Sequence, residues 1–323
     1  MVHELWLVKG TTMTNITPMI GSIGWRSNVD ELGDEISFDI AFNDARHFPK
    51  NPCDLGDLII LKNGNEINRG IIVDESKSGR NPIGYSAFDY AFYLNKSNAI
   101  YQFNKVRADI AIKKILNDFR ISIGNIVSMP TVINQIFNNK VASDIIREII
   151  EIVENETGQK LIMEMRQGKI YIEKQKDLII KGTFNLAENV TNIDVTGAIM
   201  NPSKTRSFIN MKNSIQVVSE DTLITTVSNQ SLIKRFGRLQ EVVSIDAEDK
   251  AKAAIIGKNT LKELAKISED CSVELMGDDR FRAGRLFEIT EPITGLQGTY
   301  LIKSAEHSIS KRIHTMKLDL EAV

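Results

Sequence analysis

The chain has 323 residues, of which 42% are hydrophobic and 25% charged, with 40 basic against 42 acidic side chains and a net charge of −2. A chain this long exceeds what one hydrophobic core usually spans, so two or more domains are expected, and the ordinary composition excludes a disordered protein. Balanced charge without long runs of one sign excludes a general phosphate-backbone binder, so neither specific nucleic-acid binding nor attachment to a membrane surface is expected.

The opening MVHELWLVKG carries Glu4 inside a short apolar run and has no small-residue cleavage site, so it reads as a first strand and not as a signal peptide. No run approaches the length that spans a bilayer, and no membrane insertion is expected. Residues 1–95 read as all-β. Ile36, Phe38, Ile40 and Phe42 alternate with Ser37, Asp39 and Ala41, the period of a strand with one buried face. A hairpin from Gly56 and the segment Tyr85 to Tyr90 follow, and the spacing of Gly, Asn and Pro fits a small barrel or a sandwich.

After Asn95 the period changes. Ile112, Ile115, Leu116 and Phe119 share one face of a helix over 107–119, and Ile145, Ile146, Ile149, Ile150 and Val153 predict a second over 142–157, stopped by Gly158. Lys160 to Lys174 reads as a hairpin turning at Gln167-Gly168. Strands return from about 183, including Asn189 to Val195 and Ile215 to Val218. A third helix, at about 246–268, starts with Asp246 as N-cap; Gly257 weakens it by roughly 1 kcal/mol relative to Ala. Alternation resumes in the closing strand, His314 to Leu320.

One stretch occurs twice. Gly284 to Ser304, GRLFEITEPITGLQGTYLIKS, aligns without a gap on Gly56 to Ser76, GDLIILKNGNEINRGIIVDES. Upstream, Ser37 to Ile40 and Asn43-Asp44 match Ser272 to Leu275 and Asp278-Asp279, with a loop seven residues shorter in the second copy. The reading is internal duplication, against the alternative that any two polar-turned hairpins look alike. Gly56, Gly70, Gly284 and Gly298 are then the structural turns of a duplicated hairpin. The fold class that follows is α+β, mainly β: two related small β-barrel domains at 1–95 and 183–323, a helical insert with a β-hairpin at 96–182, and a helix inserted in the second barrel.

No residues here announce catalysis. Gly21 to Gly24 and Gly295 to Gly298 lack the context of a phosphate loop or dinucleotide site, and Gly277-Asp278-Asp279 lacks the acidic spacing of a calcium loop, reading as a turn with two solvated carboxylates. His3, His47, His307 and His314 are spread over strands and loops without clustered partners, so surface or hydrogen-bonding roles are expected for them. Cys53 and Cys271 form no CxxC motif, leaving one bridge between them open, and reduced cytoplasmic synthesis is the simplest fit. Neither a cofactor nor a metal is expected, and the chain does not read as an enzyme.

An ordered set of segments nevertheless resembles a known family. Leu55-Gly56-Asp57, Tyr85 to Asp89, Tyr93 to Ser97, Met211-Lys212-Asn213, Phe236 to Glu241, and Gly298 to Ile302 with His307 resemble the tail hub proteins of contractile-tailed phages and related prophage or bacteriocin particles. The likeness is to their XkdQ/YqbQ-like group, related to late control D-type hubs. Arg285 stands where an Asp usually follows Gly in that pattern, a departure read as affecting a turn. The resemblance implies a structural protein of the virion tail or baseplate. It implies a homotrimer whose two barrels per chain form a pseudo-six-fold ring between the tail tube protein and the spike protein, beside other baseplate proteins. A tail-associated peptidoglycan hydrolase, or a carbohydrate- or oligonucleotide-binding module, is the alternative.

Overall fold

Alternation of apolar and polar residues builds the first sheet, as the sequence predicts. The computed structural model describes residues 3–181, 185, 186 and 198–323. β1 (Glu4–Lys9), β2 (Thr12–Asn15), β3 (Ile20–Asn28), β4 (Glu31–Ile40), β5 (Leu58–Asn63), β6 (Asn65–Ser76) and β7 (Ile83–Phe88) stand in the order β3-β4-β7-β6-β5-β1-β2, all antiparallel. Leu5, Leu7, Ile36, Phe38, Ile40, Ile59, Leu61, Ile72 and Tyr85 fill the interior. Phe42, expected to extend the buried row of β4, is 40% exposed. The strand ends at Ile40, and without a ladder the alternation no longer fixes a side.

The next segment packs its own core. It runs through α1 (Ala91–Asn95), β8 (Asn98–Arg107), α2 (Ala108–Asp118), β9 (Ser122–Ile126), β10 (Val132–Val141), α3 (Ala142–Thr157), β11 (Leu161–Arg166) and β12 (Lys169–Lys174). Both predicted helices are present, and α3 ends on Gly158 in the left-handed region, φ +68°. The β8–β10 ladder was not legible in the sequence. It is interrupted after Ile133 and again after Phe137, and each irregularity breaks the two-residue period.

A second sheet unit follows: β13 (Ile179–Ile180), β14 (Asn185–Leu186), β15 (Ala198–Ser207), β16 (Ser214–Ser219), β17 (Thr222–Ser228), α4 (Gln230–Phe236), β18 (Gln240–Ser244), α5 (Ala253–Leu264), β19 (Ser268–Met276), β20 (Leu286–Glu291), β21 (Leu296–Ser310) and β22 (Ile313–Ala322). β15, β19, β22, β21 and β20 are neighbours in that order, and β14 bridges β20 back to β15 to close a ring. The strand expected at Asn189 to Val195 lies outside the described residues. Ile215 to Val218, expected among the barrel strands, belongs instead to a separate three-stranded sheet, β17-β16-β18, covered by α5.

The third helix begins later than its apolar stripe suggests. Asp246 makes no side-chain cap; a backbone bond from Asp249 N–H to the Asp246 carbonyl closes a tighter turn, and the α-helix proper starts at Ala253. Gly257 lets the helix pack closely, since a Cβ there would lie 3.1 Å from side-chain carbons of Val217 and Val227, which would have to give by a few tenths of an ångström. Among the described residues no helix is long and apolar enough to cross a membrane.

The two barrels repeat each other strand for strand. β3-β4-β7-β6-β5 and β15-β19-β22-β21-β20 share order and antiparallel sense, and each carries a register shift at the same place, between Ile72 and Asp74 and between Ile302 and Ser304. Gly56 N–H bonds the Ile72 carbonyl and Ile72 N–H the Asp57 carbonyl; Gly284, Ile302 and Arg285 make the same pair of bonds. The gapless alignment fails at the hairpin tip. Leu58 faces Ile71, whereas its counterpart Leu286 faces Leu301, so the second hairpin is two residues longer. A shift of two keeps every side chain on its face, which is why the mismatch leaves the hydrophobic pattern intact.

Candidate functional site: a clasp between the barrels

Inside the chain the barrels meet along one antiparallel seam, Ser22 to Asn28 of β3 against Ser304 to Ser310 of β21. A loop from Gly277 to Arg285, between β19 and β20, clasps that seam. Asp279 accepts from Asn63 at 2.7 Å and contacts His3 Nε2 at 2.8 Å, so it reaches both strands at one end of the first barrel's β1–β5 pair. The Phe281 carbonyl accepts from His307 Nε2 at 2.9 Å. Arg282 pairs with Asp34 and donates to the Met165 carbonyl at 2.7 Å, while Ala283 N–H donates to Ser27 Oγ at 2.9 Å. Arg285 reaches Glu164 on β11 at 2.7 Å. One loop therefore ties the first barrel, the insert and the second barrel.

Its electrostatics are those of a buried network. Asp89 accepts the backbone N–H groups of Asp34 and Ala91 at 2.7 and 2.9 Å. Burial pushes the Asp34 and Asp89 carboxyls upward, and for Asp34 the Arg282 guanidinium pulls the other way. Glu164 is approached by Arg166 and Arg285, and by Arg282 at 3.6 Å. The departure at Arg285 thus does more than alter a turn: it supplies a cation to a carboxylate of the insert.

The histidines are not scattered. His3, His307 and His314 gather around Trp25, and only His47 stays apart on an exposed connection. Trp25 stacks on His307 with centroids 4.6 Å apart and planes 5° from parallel, and His307 Nδ1 lies 3.0 Å from His314 Nε2. Burial holds both imidazoles down at about 4, neutral at neutral pH. Nor is the Asp278-Asp279 turn a pair of solvated carboxylates. Asp279 is 23% exposed and fully engaged, and Asp278 is held by Arg280 at 2.6 Å. His307 and His314 flank the Lys311-Arg312 turn on one face of the β21–β22 hairpin, a relation readable once that turn is placed. The approach of His3, far away in sequence, carried no local signal.

The four glycines of the duplicated hairpin divide into two kinds. Gly56 (φ +86°) and Gly284 (φ +84°) open β5 and β20 in matching left-handed conformations. Gly70 lies within β6, where a Cβ would come 3.0 Å from the Phe88 carbonyl oxygen, and Gly298 (φ +116°) lies within β21 facing Ile289. The two-residue offset means that these last two are not counterparts.

Two of the segments that carry the family resemblance are brought together by Asn213. Its side chain donates to the Gly237 carbonyl at 2.7 Å and accepts from Leu239 N–H at 2.9 Å, while Lys212 pairs with Glu241 at 3.1 Å. The two cysteines are free, each buried in a different barrel core, so the bridge left open by the sequence is not formed.

The YQBQ-like family matches residues 23–321. The chain is 25% identical over 279 residues to the uncharacterized protein YqbQ of Bacillus subtilis, covering 82% of this chain and 81% of that one. It is 24% identical to XkdQ, a phage-like element PBSX protein of the same organism, over 275 residues with the same shares. Its fold is similar to that of the 43 kDa tail protein of prophage MuSo2 from Shewanella oneidensis, with a TM-score of 0.73, 13% identity and 98% of each chain covered. With nearly its whole length inside the match, the chain belongs to the YQBQ-like family.

Proposed function

We propose that this protein is a structural hub of a contractile phage-type tail, sitting at the baseplate as a homotrimer between the hexameric tail tube and the trimeric spike. The carrying observation is the repeated five-strand order with one seam inside the chain. Two equivalent barrels per chain give a trimer six equivalent units, which meets a six-fold tube on one side and a three-fold spike on the other. The name of XkdQ, a protein of a phage-like element, and the fold shared with a prophage tail protein support the same role. The site of action is then the virion tail or baseplate, after synthesis in the bacterial cytoplasm.

The seam also supports one way for the ring to close. β3 is covered by β21, but the corresponding edge of β15, Asn201 to Ser207, is unpaired among the described residues. An uncovered edge of this kind pairs with another strand or needs protection. The counterpart of the β21 segment in the first barrel begins at Asp74 on β6. In the ring, β15 of one protomer meets Asp74 to Ser76 of the next, and the register of the internal seam sets Arg206 opposite Glu75.

Mass measurement across a concentration series, with and without tube and spike proteins, tests the trimer. A Glu75→Cys and Arg206→Cys double variant is expected to crosslink into closed trimers under mild oxidation. A strictly monomeric protein in the presence of both partners would overturn the hub, whereas a trimer without crosslinks would overturn only this edge pairing. Peptidoglycan degradation by the purified chain would favour the hydrolase reading instead.

A further inference from the structure

The hydrogen bonds of the cluster at the clasp fix where its imidazole protons sit. The Phe281 carbonyl can only accept, so His307 carries its proton on Nε2, and its Nδ1 is a bare lone pair. His314 must then donate to that lone pair from its own Nε2, across 3.0 Å. The remaining nitrogen, His314 Nδ1, is left with a bare lone pair 3.9 Å from the Asp279 carboxylate oxygen Oδ1. Two electron-rich atoms face each other with no hydrogen to share. His3 Nε2 approaches the same oxygen at 2.8 Å, and one ligand atom from each of His3, Asp279 and His314 lies within 4.8 Å of the other two.

The surroundings hold these atoms in place. A Cβ on Gly277 would lie 2.0 Å from the His314 ring, so the glycine makes room for the imidazole. His3 meets His314 edge to face at 4.8 Å between centroids. Asn63 anchors the second Asp279 oxygen at 2.7 Å, while its own Oδ1 is buried without a hydrogen-bond partner among the described residues. Side-chain exposures of 10% for His3, 14% for His314 and 23% for Asp279 leave the group reachable from solvent.

We propose that His3, His314 and Asp279 form a binding site for a divalent transition metal of the zinc class, which pins the first strand of one barrel to the clasp and last hairpin of the other. Two imidazoles and one carboxylate suit zinc or its neighbours and not calcium or magnesium, which prefer all-oxygen shells. A bound water completes four-coordination. The ring-to-ring bond from His314 through His307 to the Phe281 carbonyl, with Asn63 on the carboxylate, is the outer support that orients metal ligands. The site is structural: its three residues come from the position just before β1, from the clasp and from β22, so the metal favours the assembled arrangement over the unfolded chain.

The test uses the tag-free full chain, stripped with a chelator and then titrated with zinc sulfate. Expected are one zinc per chain by elemental analysis and a rise in Tm, with no comparable rise on adding magnesium or calcium. His314→Gln and Asp279→Asn are expected to weaken zinc binding at least about tenfold. His3→Gln does the same from a position outside the hairpin, and His47→Gln, remote from the cluster, leaves binding unchanged. A wild-type chain that binds no zinc, or ligand variants that bind it as well as the wild type, would overturn the site. The titration is independent of trimer formation and can succeed or fail whatever the oligomeric state.

Discussion

The two barrels agree in backbone and disagree in chemistry. Strand order, the register shift and the paired bonds opening β5 and β20 are the same, yet polar side chains at matched positions make different contacts. Asp57 meets Lys9 at the surface, whereas its counterpart Arg285 is buried against Glu164. Asp34 is buried beneath Arg282, whereas its counterpart Glu269 pairs with Lys204 and Arg206 near the edge of β15. What is kept is what a strand must do to close a sheet, and what changed is what each copy must hold. The second copy supplies the clasp; the first receives it.

Exchanging matched residues tests this division most severely. Arg285→Asp gives the second copy the residue of the first and leaves Glu164 facing a carboxylate in a buried network. Removing one partner of a buried pair costs about 3–5 kcal/mol, read as a lower denaturant midpoint at unchanged slope. Asp57→Asn, at an exposed lysine, is expected to leave that midpoint in place. Equal losses in the two variants would show that the copies are chemically equivalent after all.

A smaller contrast separates the two turn glycines. Both sit in left-handed backbone, so alanine costs about 1–2 kcal/mol of strain in either place. At Gly56 a Cβ meets nothing within 4 Å, but at Gly284 it would lie 2.4 Å from Ile162 of the insert. Gly284→Ala is therefore the more destabilising change. Thermal unfolding of both variants checks it, and the reverse order would mean that Ile162 moves aside freely.

How much of this the sequence could show follows from range. Alternation in β4 and helical spacing in α3 are local, and both are where the pattern puts them. The duplication was legible because a two-residue slip at the hairpin tip preserves the side-chain faces. The site was not: Arg282 reaches Asp34 across 248 positions and His3 reaches Asp279 across 276, and no periodicity connects such residues. Polar residues read as a solvated turn became half-buried because another element covered them, and burial by a remote element leaves no mark on local spacing.

The smallest expected effect concerns protons. Asp89, whose matched position in the second copy is Ala322, is pushed up to about 7 by burial and by the charge of Asp34, while backbone donors and Arg282 pull it down. The groups facing it are Asp34, Arg282 and the N–H groups of Asp34 and Ala91. A folded carboxyl raised this way holds a proton that the unfolded chain releases, so its contribution is full at low pH and is lost as pH rises through the folded value. From about pH 8.5 down to about pH 7.5, one unit or more above the ordinary histidine value of about 6.5, His307 and His314 titrate little in either state. In that window the wild-type Tm is expected to rise as pH falls, and Asp89→Asn, which cannot take up the proton, is expected to flatten the slope. An identical slope in the variant would place the proton elsewhere, and the first barrel would then hold its buried pair charged, as the second holds Glu269 with Lys204 and Arg206.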